Sequence, residues 1–212
     1  MERVFKDYMN DKLKLELWQK IGIICLVIVV SGVVGWLYEF IFYYFNSGMK
    51  TFYMRGANFL PWINIYAYGS LMIIILTYKF RKKPWLVFLI ALVSTGILEY
   101  CSGYVMYHHT GMRCWDYNTE ILSFGSIDGY VCLRSVLIFG TFGLILMYFL
   151  LPFFIYLSKK MNKKTFLIIS ITLCTIFLCD ELYNWLFNRI FDTPRASRIY
   201  KSLGIPYMNY YK

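Results

Sequence analysis

Five apolar runs, each long enough to cross a membrane, dominate this sequence of 212 residues. The runs cover residues 21–45, 59–78, 84–107, 131–157 and 165–187. A helix needs roughly 20 residues to span the hydrocarbon core. Because lipid offers no hydrogen-bond partners, every backbone N–H and C=O group in a span must bond within the protein. Because the runs lack the short alternating pattern of barrel strands, the sequence predicts an all-α, polytopic transmembrane helix bundle with about five spans, here residues 21–187.

The low content of charged residues excludes a soluble domain of this size. Only 16% of the residues are Asp, Glu, Lys or Arg, against about 25% in ordinary soluble domains. The formal net charge is nevertheless +10. The basic residues lie in short clusters between apolar runs, an arrangement that sets membrane topology and attracts anionic lipid. We therefore expect membrane lipid as a partner and no nucleic acid.

The distribution of Lys and Arg predicts which side of the cell membrane each end faces. Five lie in residues 1–20, and four lie in each of the turns at 79–83 and 158–164. The opposite side has only Lys50, Arg55 and Arg113, apart from five in the C-terminal tail. The positive-inside rule places the N-terminus in the cytoplasm and the loop 108–130 outside. The basic tail on the outer side is the one feature that opposes this orientation.

Both ends of the chain differ from the membrane part. In residues 1–20, apolar side chains recur at every fourth position (Phe5, Met9, Leu13, Leu17), with charged residues between them. This pattern predicts an interfacial amphipathic helix, and a plain solubilising leader is the alternative. The first apolar run lacks a small-residue cleavage site and should persist as a helix. Residues 188–212 are predicted to form a tail with a short helix and a surface strap.

Five ionisable residues interrupt the apolar runs: Glu39, Glu99, Arg134, Asp180 and Glu181. At about 1.5 Å per residue, all five fall in the outer third of the membrane. Ionisable residues in spans are costly and usually face the bundle interior, so we expect a ligand pocket open to the outside, with Arg134 paired to Glu39 or Glu99. The alternative is a set of buried ion pairs that only locks the bundle. Asp180 and Glu181 are adjacent and should point about 100° apart.

The loop 108–130 carries Trp115, Asp116 and Tyr117, which we predict to form a lid over this pocket. An aromatic belt residue with a helix-capping aspartate is the competing interpretation. The adjacent His108 and His109 lack the spacing of a chelating pair, and none of the six cysteines forms a CxxC pair. The sequence therefore predicts no metal site, free thiols and no cofactor.

Several short motifs carry a family resemblance. They are GWLYE at residues 35–39, Arg55-Gly56 followed by IYAYG at 65–69, LEYCSG at 98–103, WDY at 115–117 and GYVCLRS at 129–135. In this order and spacing they resemble the family named Putative ABC-transporter type IV, also called CmpB-like, over residues 32–154. Two departures occur: LPWIN at 60–64 replaces the family's Gly-Pro-x-Cys-Pro, and Tyr130 replaces its arginine. Arg134, one helical turn further on, could substitute for that arginine.

The resemblance implies a multi-pass membrane protein whose family name suggests a permease. The leading hypothesis is a permease-like or small-ligand-binding protein. The alternatives are a membrane-embedded enzyme acting at the outer leaflet, and a non-catalytic membrane partner subunit or sensor. The chain has no GxxxxGK[ST], GxSxG or HExxH motif, so neither P-loop ATP hydrolysis nor these hydrolase mechanisms are expected. Because five helices are few for alternating access, transport would require a homo-oligomer or a partner subunit.

Overall fold

The computed structural model describes residues 1–46, 56, 58–111, 113–120 and 122–205. Seven helices contain most of these residues, and none of the described residues lies in a strand. The helices are α1 (Glu2–Met9), α2 (Leu17–Asn46), α3 (Asn64–Thr77), α4 (Pro84–Thr110), α5 (Leu133–Lys160), α6 (Lys163–Ile190) and α7 (Ala196–Ser202). A π-helical turn interrupts α5 at Leu146–Leu150 and α6 at Tyr183–Phe187. The predicted all-α membrane bundle is confirmed.

Four of the helices, α2, α4, α5 and α6, are long and apolar enough to cross a membrane. Helix α3 has only 14 residues, or about 21 Å of helix, although a 3-10 turn at Tyr78–Phe80 extends it. The sequence predicted a second span that begins at Phe59. In the structure the helix begins five residues later, at Asn64, and Asp180 on α6 holds the segment before it by accepting the backbone N–H groups of Phe59 and Leu60.

The N-terminal helix is shorter than its amphipathic pattern predicts. Helix α1 ends at Met9, and Asp11 has a left-handed φ of 60° that a continuing helix cannot accommodate. The helix predicted over residues 1–20 therefore covers only the first half of that range, and Leu17 already belongs to α2. Tyr8 of α1 is fully buried, so part of the apolar face packs against protein. The interfacial position of α1 stays a prediction.

The chain divides into two compact units. The first unit contains residues 1–68 and the described residues from 151 onward. Its centre is the packing of α2 against α6. At Gly22, a Cβ atom would lie 2.3 Å from Cε1 of Phe166, so only glycine allows this approach. Small residues at such crossings let helix backbones come close, which is how membrane helices gain packing energy.

The second unit contains residues 69–150 and is built on the packing of α4 against the first part of α5. Helix α4 begins with Pro84 at its first turn and ends at Gly111, whose φ of 67° is left-handed, as expected for helix caps. A Cβ atom at Gly140 of α5 would lie 2.7 Å from the Phe88 ring of α4. This pairing brings the C-terminal end of α4 and the N-terminal end of α5 under the loop that joins them.

The tail begins as predicted with a short helix, α7, which is fixed to the first unit. The N–H of Ala196 donates to Oδ1 of Asn184 on α6 at 2.7 Å, and the hydroxyl of Tyr200 donates to the carbonyl of Phe59 at 2.5 Å. Burial, with Asp180 nearby, raises the pKa of Tyr200, so this hydroxyl remains a donor at neutral pH. Residues 206–212 of the predicted strap, and Arg55 of the family motif, lie outside the described residues.

Candidate functional site

In the second unit, Glu99 is a buried carboxylate in the middle of an apolar helix. It lies on α4 with only 4% of its surface exposed. The hydroxyl of Tyr117, the last residue of the WDY motif, donates to one of its oxygens at 2.5 Å. This bond ties the loop that carries the WDY motif to α4. The predicted lid residue therefore contacts the predicted site residue directly.

Arg134, at the start of α5, lies beside this pair. Its guanidinium is 5.4 Å from the centre of the Tyr117 ring, within the range of a cation–π contact. Its Nη2 forms an ion pair with Glu120 at 2.9 Å, and the two side chains are only 12% and 5% exposed. Sequence reasoning did not single out Glu120. The signal that could have identified Glu120 is that it is a carboxylate in the loop predicted to cover the pocket.

Of the other residues of the WDY motif, Trp115 packs against α4, and the hydrogen bonds of both Trp115 and Asp116 lie within the loop. The indole N–H of Trp115 donates to the carbonyl of Tyr130 at 2.8 Å, and its ring lies 3.2 Å from where a Cβ on Gly103 would be. Gly103 is one helical turn beyond Glu99 and shares its face of α4. Asp116 accepts from the N–H of Asn118 at 3.0 Å, which is an Asx turn. The Trp115 ring therefore lies on the Glu99 side of α4.

Arg113 braces the same loop. Its Nη1 donates to the carbonyl of Asp128 at 2.8 Å and lies 3.5 Å from the Asp116 carboxylate. Its guanidinium also lies 4.7 Å from the centre of the Tyr130 ring. Gly129 has a φ of 76°, and a Cβ there would clash with Arg113 and Asp116 at 2.4 Å. The described part of the loop is thus an ordered cap (residues 113–120 and 122–132), which we call the outer cap after the side of the membrane that the sequence predicts for it.

In the first unit, the carboxylate of Asp180 accepts three hydrogen bonds from the protein itself. Its side chain accepts the N–H of Phe59 at 2.8 Å, the N–H of Leu60 at 2.9 Å, and the amide of Asn184 at 2.8 Å. Three donors satisfy a buried carboxylate well. Asp180 therefore holds the segment before α3 against α6, a role that favours the structural alternative for this residue.

Glu181 points to a different set of partners, as expected for neighbours on a helix. It accepts hydrogen bonds from the Asn64 amide at 3.0 Å and from the Tyr68 hydroxyl. Asn64 in turn accepts from the Asn58 amide at 2.7 Å. The amide and hydroxyl partners were not foreseen, because these residues are common on helices and only their position relative to α6 makes them ligands of a carboxylate.

Glu39 lies on α2 and is partly buried. Its convergence with Glu99 and Arg134, and an ion pair between Arg134 and either carboxylate, stay predictions. The structure does bring Glu99, Tyr117 and Arg134 together, with Asp116 and Trp115 in the same loop. Asp180 and Glu181 belong to the separate hydrogen-bond network of the first unit.

The outer cap and the helix ends below it carry an excess of negative charge. Residues 99–134 contain four carboxylates, Glu99, Asp116, Glu120 and Asp128, and two arginines. Buried carboxylates are stable when they meet a cation, a proton or several donors. The cluster thus has the electrostatics to attract a positively charged group. Within the described residues, no group of three or more His, Cys, Asp and Glu is arranged to hold a metal ion.

Long apolar helices with ionisable side chains buried near one end define a polytopic integral membrane protein. The profile of the family described as "Putative ABC-transporter type IV" matches residues 26–184, which is most of the chain. The protein therefore belongs to this family, as its motifs predicted. The match extends beyond the motifs to include Asp180 and Glu181. No curated protein and no solved structure matches the chain.

Proposed function

We propose that this protein is a permease-like membrane protein that binds a small ligand in the second unit, below the outer cap. The observation that supports it best is the cluster in which Tyr117 bonds to the buried Glu99 beside the Arg134–Glu120 ion pair. Burying these charges in an apolar helix pair is costly. A ligand-binding role gives a reason for keeping them.

The charge balance of the cluster indicates the kind of ligand. Glu99 and Glu120 supply two carboxylates against the single guanidinium of Arg134. Arg113 is engaged with the Asp116 carboxylate and the backbone carbonyl of Asp128. A ligand with a positively charged group would complete the balance. The Tyr117 ring, which lies against Arg134, adds an aromatic face of the type that stabilises organic cations.

Binding of organic cations tests the proposal. The purified full chain in detergent is titrated with choline, tetramethylammonium and putrescine while its thermal midpoint is recorded. A bound ligand raises the midpoint in proportion to RT ln(1 + [L]/Kd). We expect at least one probe to raise it in the unaltered protein and none to do so in Glu99→Gln.

Asp192→Asn is the matched control, because it also removes one carboxylate. Asp192 is exposed in the tail with a φ of 48°, which asparagine tolerates. The control should keep the response. Equal responses in the unaltered protein and Glu99→Gln would contradict the proposal.

The second candidate function is a non-catalytic membrane partner subunit. The observation that favours it is the network at Asp180, where two of the three bonds to the carboxylate hold the segment before α3 against α6. Under this hypothesis the cluster in the second unit is also structural. Glu99→Gln would then lower the thermal midpoint, and none of the cations would raise it in the unaltered protein.

A further inference from the structure

An exposed basic surface lies at the end of the first unit where the chain begins. It consists of the nine Lys and Arg of residues 1–20 and 158–164, and we call it the N-terminal basic surface. Five belong to the N-terminal segment and four to the turn between α5 and α6. All nine are exposed. The same segments contain four acidic residues, so the surface carries an excess of five positive charges.

Specific contacts bring these two segments together. The buried amide of Gln19 donates to Oγ and to the carbonyl of Ser158, at 3.2 and 3.3 Å. The Trp18 ring packs edge-on against Phe166 of α6, with ring centres 6.0 Å apart. Nζ of Lys163 lies 5.7 Å from the Trp18 ring centre. The gathering of positive charge is therefore part of the folded structure and does not depend on a flexible leader.

The positive charge of this surface is not neutralised within the described part of the chain. None of the nine basic side chains forms an ion pair with a described residue. Mutual repulsion at this density is unfavourable, so an external anion would stabilise the surface. The apolar spans α2 and α6 begin at Leu17 and Lys163, so the surface lies where a span meets the membrane boundary.

We propose that the N-terminal basic surface binds the headgroups of anionic phospholipids in the leaflet that it faces. Lipid phosphates are the anions that are permanently present at the end of a membrane span. Trp18 has the amphipathic ring that prefers the headgroup level, and it lies within the basic residues instead of apart from them. The combination of an interfacial tryptophan with lysines that form no ion pair to a described residue fits a phospholipid better than it fits a soluble acidic protein.

Quenching of Trp18 by brominated lipid measures this preference. The full chain is reconstituted in phosphatidylcholine vesicles that contain a minor fraction of phosphatidylglycerol, with bromine on one lipid or the other. Because the chain has six tryptophans, the Trp18 signal is the difference from Trp18→Phe. We expect brominated phosphatidylglycerol to quench Trp18 more than its mole fraction predicts. Added salt should weaken the excess.

Paired lysine substitutions locate the effect. Lys163→Gln with Lys164→Gln should reduce the relative affinity for phosphatidylglycerol, by roughly fivefold per lysine as an upper limit. Lys159→Gln with Lys160→Gln should act in the same direction while leaving the Lys163–Trp18 contact in place. The control pair, Lys82→Gln with Lys83→Gln, removes equal charge before α4, on the side of the membrane predicted for residues 1–20, and should leave the excess unchanged.

Two results would overturn the proposal. One is that, in the unaltered protein, phosphatidylglycerol quenches Trp18 only in proportion to its mole fraction. If an acidic soluble protein then binds the surface, the partner is a protein. The other is that the control pair, Lys82→Gln with Lys83→Gln, lowers the relative affinity for phosphatidylglycerol as much as the Lys163/Lys164 pair does. That result would show a general effect of net charge. Neither result bears on the cation response of Glu99→Gln, so the two proposals fail independently.

Discussion

Tyr117 donates its hydroxyl proton to Glu99 at 2.5 Å across 18 residues of sequence, and this bond joins the outer cap to the middle of α4. Both partners are buried, Glu99 to 96% and Tyr117 to 91%. The contact makes the position of the cap depend on a side chain within the predicted span. Any ligand that approached Glu99 would therefore also change what the cap is bonded to.

Removal of this hydroxyl should destabilise the protein more than removal of a similar exposed one. Tyr117→Phe leaves a buried carboxylate oxygen without its donor, which costs about 1–3 kcal/mol. The control is Tyr100→Phe, because Tyr100 donates to Asp128 at 3.1 Å in an exposed position. We expect a lower thermal midpoint in detergent for Tyr117→Phe and a midpoint near that of the unaltered protein for Tyr100→Phe. Equal thermal midpoints for Tyr117→Phe and Tyr100→Phe would mean that the buried bond contributes nothing to stability.

Asp116→Asn separates a lid from a merely structural loop. The amide oxygen can still accept from the N–H of Asn118, and the partly exposed Arg113 contact is worth less than about 1 kcal/mol. We therefore expect an almost unchanged thermal midpoint but a weaker response to the cation that raises it. Asp192→Asn removes an equal charge at an exposed position outside the cap and should keep the response. A midpoint lowered by several degrees with an intact response would support the structural interpretation of Asp116.

Asp180→Asn should weaken the attachment of the segment before α3. The carboxylate accepts two backbone N–H groups from Phe59 and Leu60, and an amide can offer only one oxygen for them. We expect a loss of about 1–3 kcal/mol, observed as a lower thermal midpoint and faster proteolysis near residue 59. Asp192→Asn, which changes an exposed aspartate, should do neither. If Asp180→Asn behaves like this control, the network is not structural.

The helix content and the buried ionisable residues could be predicted because both follow from local sequence. Apolar runs of about 20 residues fix spans, and a charge inside such a run stands out. The partner of Arg134 could not be predicted in the same way. Glu120 lies 14 residues away in an irregular loop, and only the turns at Asp116 and Gly129 bring it to α5.

The start of α3 and the end of α1 could not be predicted for a related reason. Hydropathy marks where a chain is apolar but not where its backbone N–H groups find partners. Before α3, the N–H groups of Phe59 and Leu60 bond to the distant carboxylate of Asp180. At Asp11, a left-handed φ interrupts the chain although the amphipathic pattern continues. Both boundaries depend on contacts or dihedral angles that periodicity does not contain.

Gly140→Ala should weaken the packing of α4 against α5. The added methyl group would lie 2.7 Å from the Phe88 ring, so the ring or the helix must move, at a cost of about 1–3 kcal/mol. Gly69→Ala is the control, because a Cβ atom there would lie 3.5 Å from Leu98 Cδ2, an ordinary van der Waals distance, and alanine favours helix. We expect a lower thermal midpoint for Gly140→Ala and an equal or higher one for Gly69→Ala. The reverse order would show that this helix pair is not closely packed.

The orientation of the chain can be tested with single cysteines introduced after the six native ones are replaced. Glu120 is unsuitable as the outer probe because it is buried and paired with Arg134. Phe124, in the same loop, is 67% exposed, and Lys82 is exposed in the opposite basic turn. If the positive-inside rule sets the topology, a membrane-impermeant maleimide added to intact cells should label Phe124→Cys and spare Lys82→Cys until the cells are opened. Labelling of Lys82→Cys alone in intact cells would reverse the orientation and place the outer cap, with Glu99 and Arg134, at the cytoplasmic leaflet.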